Sequence, residues 1–403
     1  MSVNTSAIHS PTRQEFYSVL CAGICALILT VGLARFAYTP LLPIMHREAG
    51  LSDVTGGWLA TANYAGYMLG VLLASRTSDL QRKYFMYRAG LVIAILSTIA
   101  MGLTQNVYLW LALRFVSGLS SVAGLLLASG FVLNWLIRTG GKPELGVHFA
   151  GMGVGIAVSG ICIAPMVGLL NWSQLWGGLG LLGIVFFFPA WFWMPAPAKV
   201  KGHEAKQISS PSMLRWILCM LAAYFSSGFG YVISATFMVA IIEKLPLLSG
   251  SGGWVWVIVG VAAVPSSFFW DRVAARIGNT PALVLCYVLQ ILSFVFPVIS
   301  ESAIANLLSA VMYGGTFVGI VSLTLSIIGR RFPANPAKAM AKLTLSYGAA
   351  QIIAPAIAGY LAAATGSYHS ALLAAAGVMA VGIFFLLAAG REASRLGAEA
   401  EGR

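Results

Sequence analysis

Apolar stretches of about 20 residues, nearly free of charge, recur along the whole of this 403-residue chain. Each is long enough to cross the roughly 30 Å hydrocarbon core of a bilayer. Only 9% of the residues are charged, against roughly 25% in an average soluble domain, so lipid is the predicted solvent for most of the chain. Twelve spans are predicted, at residues 16–44, 56–78, 84–103, 106–136, 145–170, 175–194, 213–242, 252–270, 280–299, 303–329, 338–364 and 367–390.

The longest polar interruption lies between the sixth and seventh spans and divides them into two groups of six. The sequence therefore predicts a tail at 1–15, a six-helix bundle at 16–194, a linker at 195–212, a second six-helix bundle at 213–390 and a tail at 391–403. The first span lacks a small-residue cleavage pattern, so we expect it to be retained and not removed as a signal peptide.

Lysine and arginine are unevenly distributed between the loops on the two sides. The formal net charge of +12 is scattered over short loops and forms no stripe, which argues against a nucleic-acid partner. With both termini in the cytoplasm, the inner loops and tails hold 20 of the 24 basic residues, and the outer loops hold only Arg47 and Lys244. By the positive-inside rule, both termini are predicted to be cytoplasmic.

Faint internal repeats run in parallel order along the two halves. The second span opens with Gly56-Gly57-Trp58, and the eighth opens with Gly252-Gly253-Trp254, 196 residues later. At the same offset, Tyr231 in the seventh span is the repeat partner of Arg35 in the first. Two parallel repeats of six helices place a binding site between the halves, near the middle of the bilayer.

The loop after the second span, and its repeat after the eighth, each combine an aspartate with basic residues. They resemble the cytoplasmic loop motif of the major facilitator superfamily, although Leu80 stands where an arginine usually follows the aspartate. Such a carboxylate could pair across helix ends in one state and release in another, or it could simply anchor the topology as a solvated charge. The candidate gating residues are Asp79, Arg82, Asp271, Arg272 and Arg276.

The sharpest local signature is the segment 32–43 in the first span together with 228–237 in the seventh. These segments resemble the bacterial subfamily of YbfB/YjiJ-type transporters, and the superfamily resemblance covers essentially the whole chain. The resemblance implies an all-α membrane protein of twelve transmembrane helices in two parallel six-helix repeats, the major facilitator fold. It also implies a secondary transporter in the bacterial inner membrane, but no settled substrate.

Small residues and prolines are concentrated in the fifth span and recur in the eleventh. Those of the fifth span resemble the glycine-proline motif described for antiporters, which would favour export, although Ala164 stands where that motif has glycine; close helix packing alone could also explain them. The candidate packing residues are Gly151, Gly155, Gly160, Pro165 and Pro355.

Two arginines, Arg35 and Arg114, lie inside predicted spans. Each costs about 2.5–3.5 kcal/mol at the centre of a membrane helix, so each should face a wet cavity or a partner. The alternatives are that Arg35 extends to the outer interface and that Arg114 is a structural residue bonded to carbonyls of kinked neighbours. The predicted substrate-binding residues are Arg35, Tyr231, Arg114, Asn63, Tyr64, Tyr67 and Gln351, with Tyr224 and Tyr347 as further lining candidates.

All acidic residues map to loops, tails or helix ends. A cavity with arginines and no carboxylates favours an anion, so we expect a transporter that moves a small organic anion, such as a carboxylate, by alternating access. The alternative is a proton-coupled exporter of amphipathic or drug-like compounds. His148 could carry protons, but its place at the start of the fifth span predicts a solvated loop histidine.

No nucleophile elbow, phosphate loop or metal-ligand cluster is found in the sequence, so we predict neither an enzyme nor a cofactor or metal site. Cys21 and Cys25 share a helix face and are predicted to be packing residues. The expected partners are a small-molecule substrate, protons as a candidate coupling ion, and the lipid bilayer. The chain is expected to be a monomer.

Overall fold

The structure, a computed structural model, describes residues 12–139, 145–198, 211–243, 248, 250–332 and 336–401. Most of the predicted linker, residues 199–210, lies outside the described residues, as does Lys244 of the predicted outer loops.

Twelve helical segments follow one another along the described part of the chain. Their bounds are α1 Arg13–Ala49, α2 Asp53–Arg76, α3 Leu80–Met101, α4 Val107–Arg138, α5 Gly146–Met166, α6 Trp172–Phe192, α7 Pro211–Ile242, α8 Gly252–Ala263 with Ser266–Ile277, α9 Asn279–Ile299, α10 Ala303–Arg331, α11 Pro336–Thr365 and α12 His369–Glu401. Because α12 continues to Glu401, residues 391–401 of the predicted tail are helical.

Ten of these helices are long and apolar enough to cross a membrane, or eleven when the two pieces of α8, which meet at 44°, count as one span. The remaining helix, α2, has 24 residues and is therefore long enough to cross. Its glycines and Asn63 make it less apolar than its neighbours. With α2 included, the count is the predicted twelve.

Both ends of the described chain lie at one face of the molecule, here called the terminal face; in the last part of α12, a Cβ on Gly390 would lie 3.5 Å from the Thr280 side chain at the start of α9. Phe16 near the start of α1 packs against Trp135 near the end of α4, with ring centroids 6.4 Å apart. The start of α5 meets the end of the α8 pair at the same face, where Phe268 lies against Gly146. The face at the other end of the helices, which holds the loops around residues 50–52 and 366–368, is called the opposite face.

The two halves meet along three helix pairs, α1 with α7, α2 with α11, and α5 with α8. Glycines allow the close approach: a Cβ on Gly57 would lie 2.4 Å from the carbonyl oxygen of Pro355, and one on Gly160 would lie 2.8 Å from that of Gly253. Thr39 of α1 donates a hydrogen bond to the carbonyl of Ala235 in α7, a residue 196 positions later. This pair sits at the repeat offset seen in the sequence, as expected for residues beside a pseudo-twofold axis.

Within the first half, α5 packs closely on α1. A Cβ on Gly155 would lie 3.0 Å from the Cα of Gly32, and one on Gly151 would lie 3.0 Å from the Cα of Ile24. Pro165, by contrast, is exposed in the short turn that ends α5. The glycines therefore set the α1–α5 distance, while Pro165 only terminates the helix.

Candidate functional site

The middle of α1 is distorted into a π-helical segment, Ile28–Phe36. A π segment changes the regular i→i+4 ladder and is common at functional sites. Side chains of α4 bond to its carbonyls: Arg114 Nη1 and Ser117 Oγ donate to Ala34 at 3.1 and 2.8 Å. In the next turn of α4, Ser121 Oγ donates to the carbonyl of Thr30 at 3.0 Å. The distorted backbone around Arg35 is therefore held by α4.

Arg114 is part of the hydrogen-bond network that joins α4 to the π segment of α1. It is 2% exposed, its Nη2 donates to the Arg35 carbonyl at 3.4 Å, and its guanidinium lies 4.5 Å from the ring centroid of Tyr38. Asn63 donates from Nδ2 to the Arg114 carbonyl at 2.9 Å and is fully buried where α2 crosses α4 at Gly118. Both side chains thus join α1, α2 and α4, which matches the structural alternative for Arg114.

The side chain of Arg35 has different surroundings from that of Arg114. It is 4% exposed, so its guanidinium does not reach a membrane interface in this conformation. The guanidinium carbon lies 4.3 Å from the ring centroid of Tyr64 and 4.7 Å from that of Tyr67. These cation–π contacts offset part of the cost of burying the charge. Nevertheless, Nε and Nη1 are buried without a hydrogen-bond partner.

The second half contributes an aromatic cluster of Tyr224, Tyr231, Tyr313, Phe317 and Tyr347. Tyr231 lies at its centre, with ring centroids 5.4 Å from Phe317, 5.8 Å from Tyr347 and 6.3 Å from Tyr313. The Tyr313 hydroxyl also donates to the Tyr231 carbonyl at 2.9 Å. Tyr224 extends the cluster by stacking on Tyr347 at 4.5 Å.

Arg35 and the aromatic cluster face each other across the two halves. The guanidinium interacts electrostatically with Tyr64, Tyr231 and Tyr67, so the repeat partners Arg35 and Tyr231 lie within electrostatic range of each other. Gln351 is buried in α11, one helical turn beyond Tyr347. The structure thus brings together Arg35, Tyr64, Tyr67, Tyr231 and, one turn away, Gln351, while Arg114 and Asn63 lie behind them.

Tyr313 and Phe317 of the cluster are absent from the sequence predictions. They share one face of α10 at a spacing of four residues. The sequence feature beside them that could have indicated a helix contact is Gly314, where a Cβ would lie 2.3 Å from the carbonyl oxygen of Val259 in α8. A glycine in the interior of a predicted span indicated a close helix contact there, but not its aromatic neighbours.

The candidate gating residues lie at the terminal face in exposed positions. Asp79 accepts a hydrogen bond from the Gln81 amide at 2.9 Å as the N-cap of α3 and forms an ion pair of 3.6 Å with Arg82. In the repeat, Arg272 donates to the Phe268 carbonyl at 3.4 Å, while Asp271 and Arg276 are exposed on the same helix. Each of these contacts joins two residues of the same half.

The expectation of a solvated His148 is wrong. The side chain is 0% exposed, and its Nε2 lies 2.8 Å from Ser129 Oγ of α4. Gly23 of α1 leaves the space for the ring, since a Cβ there would lie 2.5 Å from Nδ1. The sequence predicts a solvated helix end at the start of α5, but the small residues of α1 and α4 let this end pack into the bundle.

At the opposite face, polar side chains tie the two halves together. Tyr368 donates to Asp53 Oδ1 at 2.6 Å, and Thr61 donates to the Ile352 carbonyl at 2.8 Å. Arg47 lies 3.6 Å from Glu243, whose carboxylate also accepts from the amides of the loop before α8. Together these contacts form a seal between the halves, here called the opposite-face seal.

Solved transporter structures have the same fold. The nucleoside transporter NupG superposes with a TM-score of 0.72 at 13% identity, over 92% of this chain and 98% of that one. A bacterial homologue of the human lysosomal transporter Spinster, in an inward-facing and occupied conformation, gives a TM-score of 0.69 at 14% identity, over 95% and 98% of the two chains. At these identities the likeness establishes the fold alone.

Sequence relatives identify the family. The curated relative YceJ of Bacillus subtilis (strain 168), described as an MFS-type transporter, is 27% identical over 146 residues, and the match spans only 35% of its length and 36% of this chain. The family model described as "Uncharacterised MFS-type transporter YbfB" matches residues 27–387, nearly the whole described chain. This chain is therefore a multi-pass membrane protein that belongs to the YbfB-type family of major facilitator transporters.

Proposed function

We propose that this protein is a secondary active transporter that moves a small organic anion, such as a carboxylate, across the bacterial inner membrane. The observation that carries the proposal is the guanidinium of Arg35, whose Nε and Nη1 are buried without a partner. An uncompensated buried charge is costly. A bound carboxylate would supply the counter-charge and an acceptor for one of these nitrogens.

The distribution of acidic side chains supports an anion. Among the described residues, most carboxylates lie near helix ends, such as Asp53 and Asp79 at the starts of helices and Glu243 just after α7, and Glu392 lies in α12 beyond the predicted span 367–390. Asp271, within the second piece of α8, is exposed toward the terminal face. The side chains around Arg35 are the neutral rings of Tyr64, Tyr67 and Tyr231. Arg35 is thus left to pair with a ligand.

Alternating access would proceed by rocking of the two halves around this site. With both termini cytoplasmic, as the basic loops favour, the opposite-face seal is the outer gate and is closed in this structure. Asp79, Arg82, Asp271, Arg272 and Arg276 would then act as a latch at the inner face. Protons are the candidate coupling ion, and the working unit is a monomer.

The test uses purified protein reconstituted into proteoliposomes and counterflow of radiolabelled carboxylates, with acetate, lactate and benzoate as probes. Arg35→Gln should abolish counterflow of every carboxylate that the unmodified protein carries. Arg88→Gln is the matched control, because Arg88 also stacks on rings, those of Tyr84 and Trp191 at 4.8 and 4.6 Å, but away from the site. Unchanged counterflow in Arg35→Gln would overturn the proposal.

A second candidate function is proton-coupled export of amphipathic compounds, which is favoured by the aromatic cluster. Stacked rings bind drug-like molecules through burial and face-to-face contacts. Under this alternative, an amphipathic cation would bind in Arg35→Gln at least as well as in the unmodified protein, and its addition to detergent-solubilised protein would release protons. Carboxylate binding that requires Arg35 would count against it.

A further inference from the structure

We infer that the transported anion is an aromatic monocarboxylate, with its carboxylate on Arg35 and its ring against the aromatic cluster. The inference rests on the proposed function and narrows its substrate class. Three features of the site carry it: the number of available positive charges, the lack of a described acid beside Arg35, and the near-parallel planes of the clustered rings.

The site offers one available positive charge. Arg114 is the other arginine buried within a span; its Nε also lacks a partner, but both of its Nη atoms already donate to carbonyls, those of Ala34 and Arg35. Arg35 is therefore the arginine left for a ligand carboxylate, which would accept from one of its two partnerless nitrogens, Nε or Nη1. A second carboxylate on the same ligand would be buried without a counter-charge, which is strongly unfavourable. The site thus selects a monoanion over a dianion.

The surroundings of Arg35 also disfavour an amino acid. Its electrostatic neighbours are the tyrosines Tyr64, Tyr231 and Tyr67, and Phe36 completes the ring contacts at 5.6 Å. An α-ammonium group would lie beside the Arg35 guanidinium with no carboxylate from these side chains to balance it. A carboxylic acid that lacks an amino group therefore fits better than a zwitterion.

The aromatic cluster has the geometry of a stack. The ring planes of Tyr231 are inclined by 17° to Tyr313, 29° to Tyr347 and 32° to Phe317. Near-parallel rings accept another flat ring in an offset stack, whereas a puckered saturated ring keeps its faces farther away. Since Tyr231 is both a neighbour of Arg35 and the centre of the cluster, the ligand's carboxylate and ring must lie close together.

The test measures dissociation constants of the purified full-length protein by isothermal titration calorimetry. Benzoate and phenylacetate are compared with cyclohexanecarboxylate, which has the same charge and nearly the same size but no flat ring. Benzoate should bind about five- to tenfold more tightly than cyclohexanecarboxylate, within the range of about two- to twelvefold expected for aromatic stacking. Terephthalate and phenylalanine should each bind at least about tenfold more weakly than benzoate.

Two variants distinguish the ring subsite from the carboxylate position. Tyr347→Leu keeps the volume of the cluster approximately but removes a stacking face, and it should reduce the preference for benzoate over cyclohexanecarboxylate to about twofold or less. Arg35→Gln should weaken both ligands by at least about tenfold. The comparison of the two acids in the unmodified protein needs no variant, so the inference is testable even if Tyr347→Leu fails to fold.

The outcomes separate the two proposals. If both acids bind with equal affinity and both require Arg35, the aromatic class is overturned while the anion transporter stands. If terephthalate or phenylalanine binds as tightly as benzoate, the single-carboxylate site is overturned. If no carboxylate binds, or binding survives Arg35→Gln, both proposals fail together.

Discussion

The hydroxyl of Tyr368, in the loop before α12, donates a hydrogen bond of 2.6 Å to Oδ1 of Asp53 at the start of α2. This contact joins the two halves across 315 residues of sequence. His46 Nδ1 lies 3.7 Å from the same carboxylate oxygen. Asp53 is therefore a centre of the opposite-face seal.

Tyr368→Phe should open the seal more often. Hydrogen bonds to charged groups contribute about 1.5–3 kcal/mol, so the open population should rise about tenfold or more. The readout is the rate at which a membrane-impermeant maleimide labels Thr61→Cys, a site buried between the halves; the bond from Thr61 to Ile352 is lost equally in every background compared. The matched control is Tyr360→Phe, which removes a more exposed bond between the halves, from Trp58 at 3.3 Å, and should change the rate less. Equal labelling rates in Tyr368→Phe and Tyr360→Phe would contradict the assignment of Tyr368 to the opposite-face seal.

The same tyrosine predicts a pH dependence. Burial, followed by the hydrogen bond to Asp53, raises the pKa of Tyr368 above its ordinary value of 10. Because the folded state favours the protonated hydroxyl, this contribution to stability is fully present below pH 10 and is lost as the pH rises above it. The melting temperature of the unmodified protein should exceed that of Tyr368→Phe by a constant amount from about pH 6 to 9, and the gap should shrink above about pH 10. A gap that widens at high pH would be inconsistent with this geometry.

The two buried arginines should respond oppositely to the loss of charge. Arg114→Met removes the donor to the Arg35 carbonyl and one of the two side-chain donors to the Ala34 carbonyl, the other being Ser117 Oγ, which should cost about 1–3 kcal/mol of stability. Arg35→Gln removes nitrogens that already lack partners, so stability should be unchanged or higher while carboxylate binding is lost. Thermal unfolding in detergent measures both effects. Ser117→Ala, which removes one neutral donor to Ala34, should fall between them at about 1 kcal/mol.

The α1–α5 contact should tolerate no added methyl group. In Gly32→Ala, the Cβ would lie 2.5 Å from the Cα of Gly155, and since backbone cannot move aside as a side chain can, overpacking of about 1–3 kcal/mol is expected. Gly130→Ala is the control, because a Cβ at that α4 position meets nothing within 4 Å. Melting temperatures of the two variants should differ clearly. A Gly32→Ala protein as stable as Gly130→Ala would rule out a tight glycine contact.

Asp79 allows the latch to be separated from the helix cap. Asparagine is as good an N-cap as aspartate, so Asp79→Asn keeps the bond from Gln81 but removes the charge beside Arg82. If the latch operates, Asp79→Asn should transport slowly with a normal melting temperature, since an exposed ion pair contributes at most about 1 kcal/mol. Transport at the unmodified rate would favour the topology-anchor interpretation. Asp79→Ala serves as the comparison in which cap and charge are lost together.

The sequence predicted the twelve helices because the requirement acts on each segment alone. In lipid, backbone groups must be satisfied within the helix itself, so length and hydropathy indicate a span without any knowledge of its neighbours. The weakest case was α2, whose polar and small residues are explained only by its packing, for example Gly57 against Pro355. The arginines within spans and the repeat offset could likewise be seen in the sequence without knowing which helices are in contact.

What the tertiary structure decided is the role of each polar residue. The sequence placed Arg35 and Arg114 inside predicted spans, but only the π segment of α1 and its bonds to α4 distinguish an arginine bonded to carbonyls from one available to a ligand. His148 was misjudged for the same reason, since its burial depends on Gly23 of another helix. Hydropathy follows from each residue's own chemistry, whereas a hydrogen-bond partner depends on which helices meet, and that is settled by packing across the whole bundle.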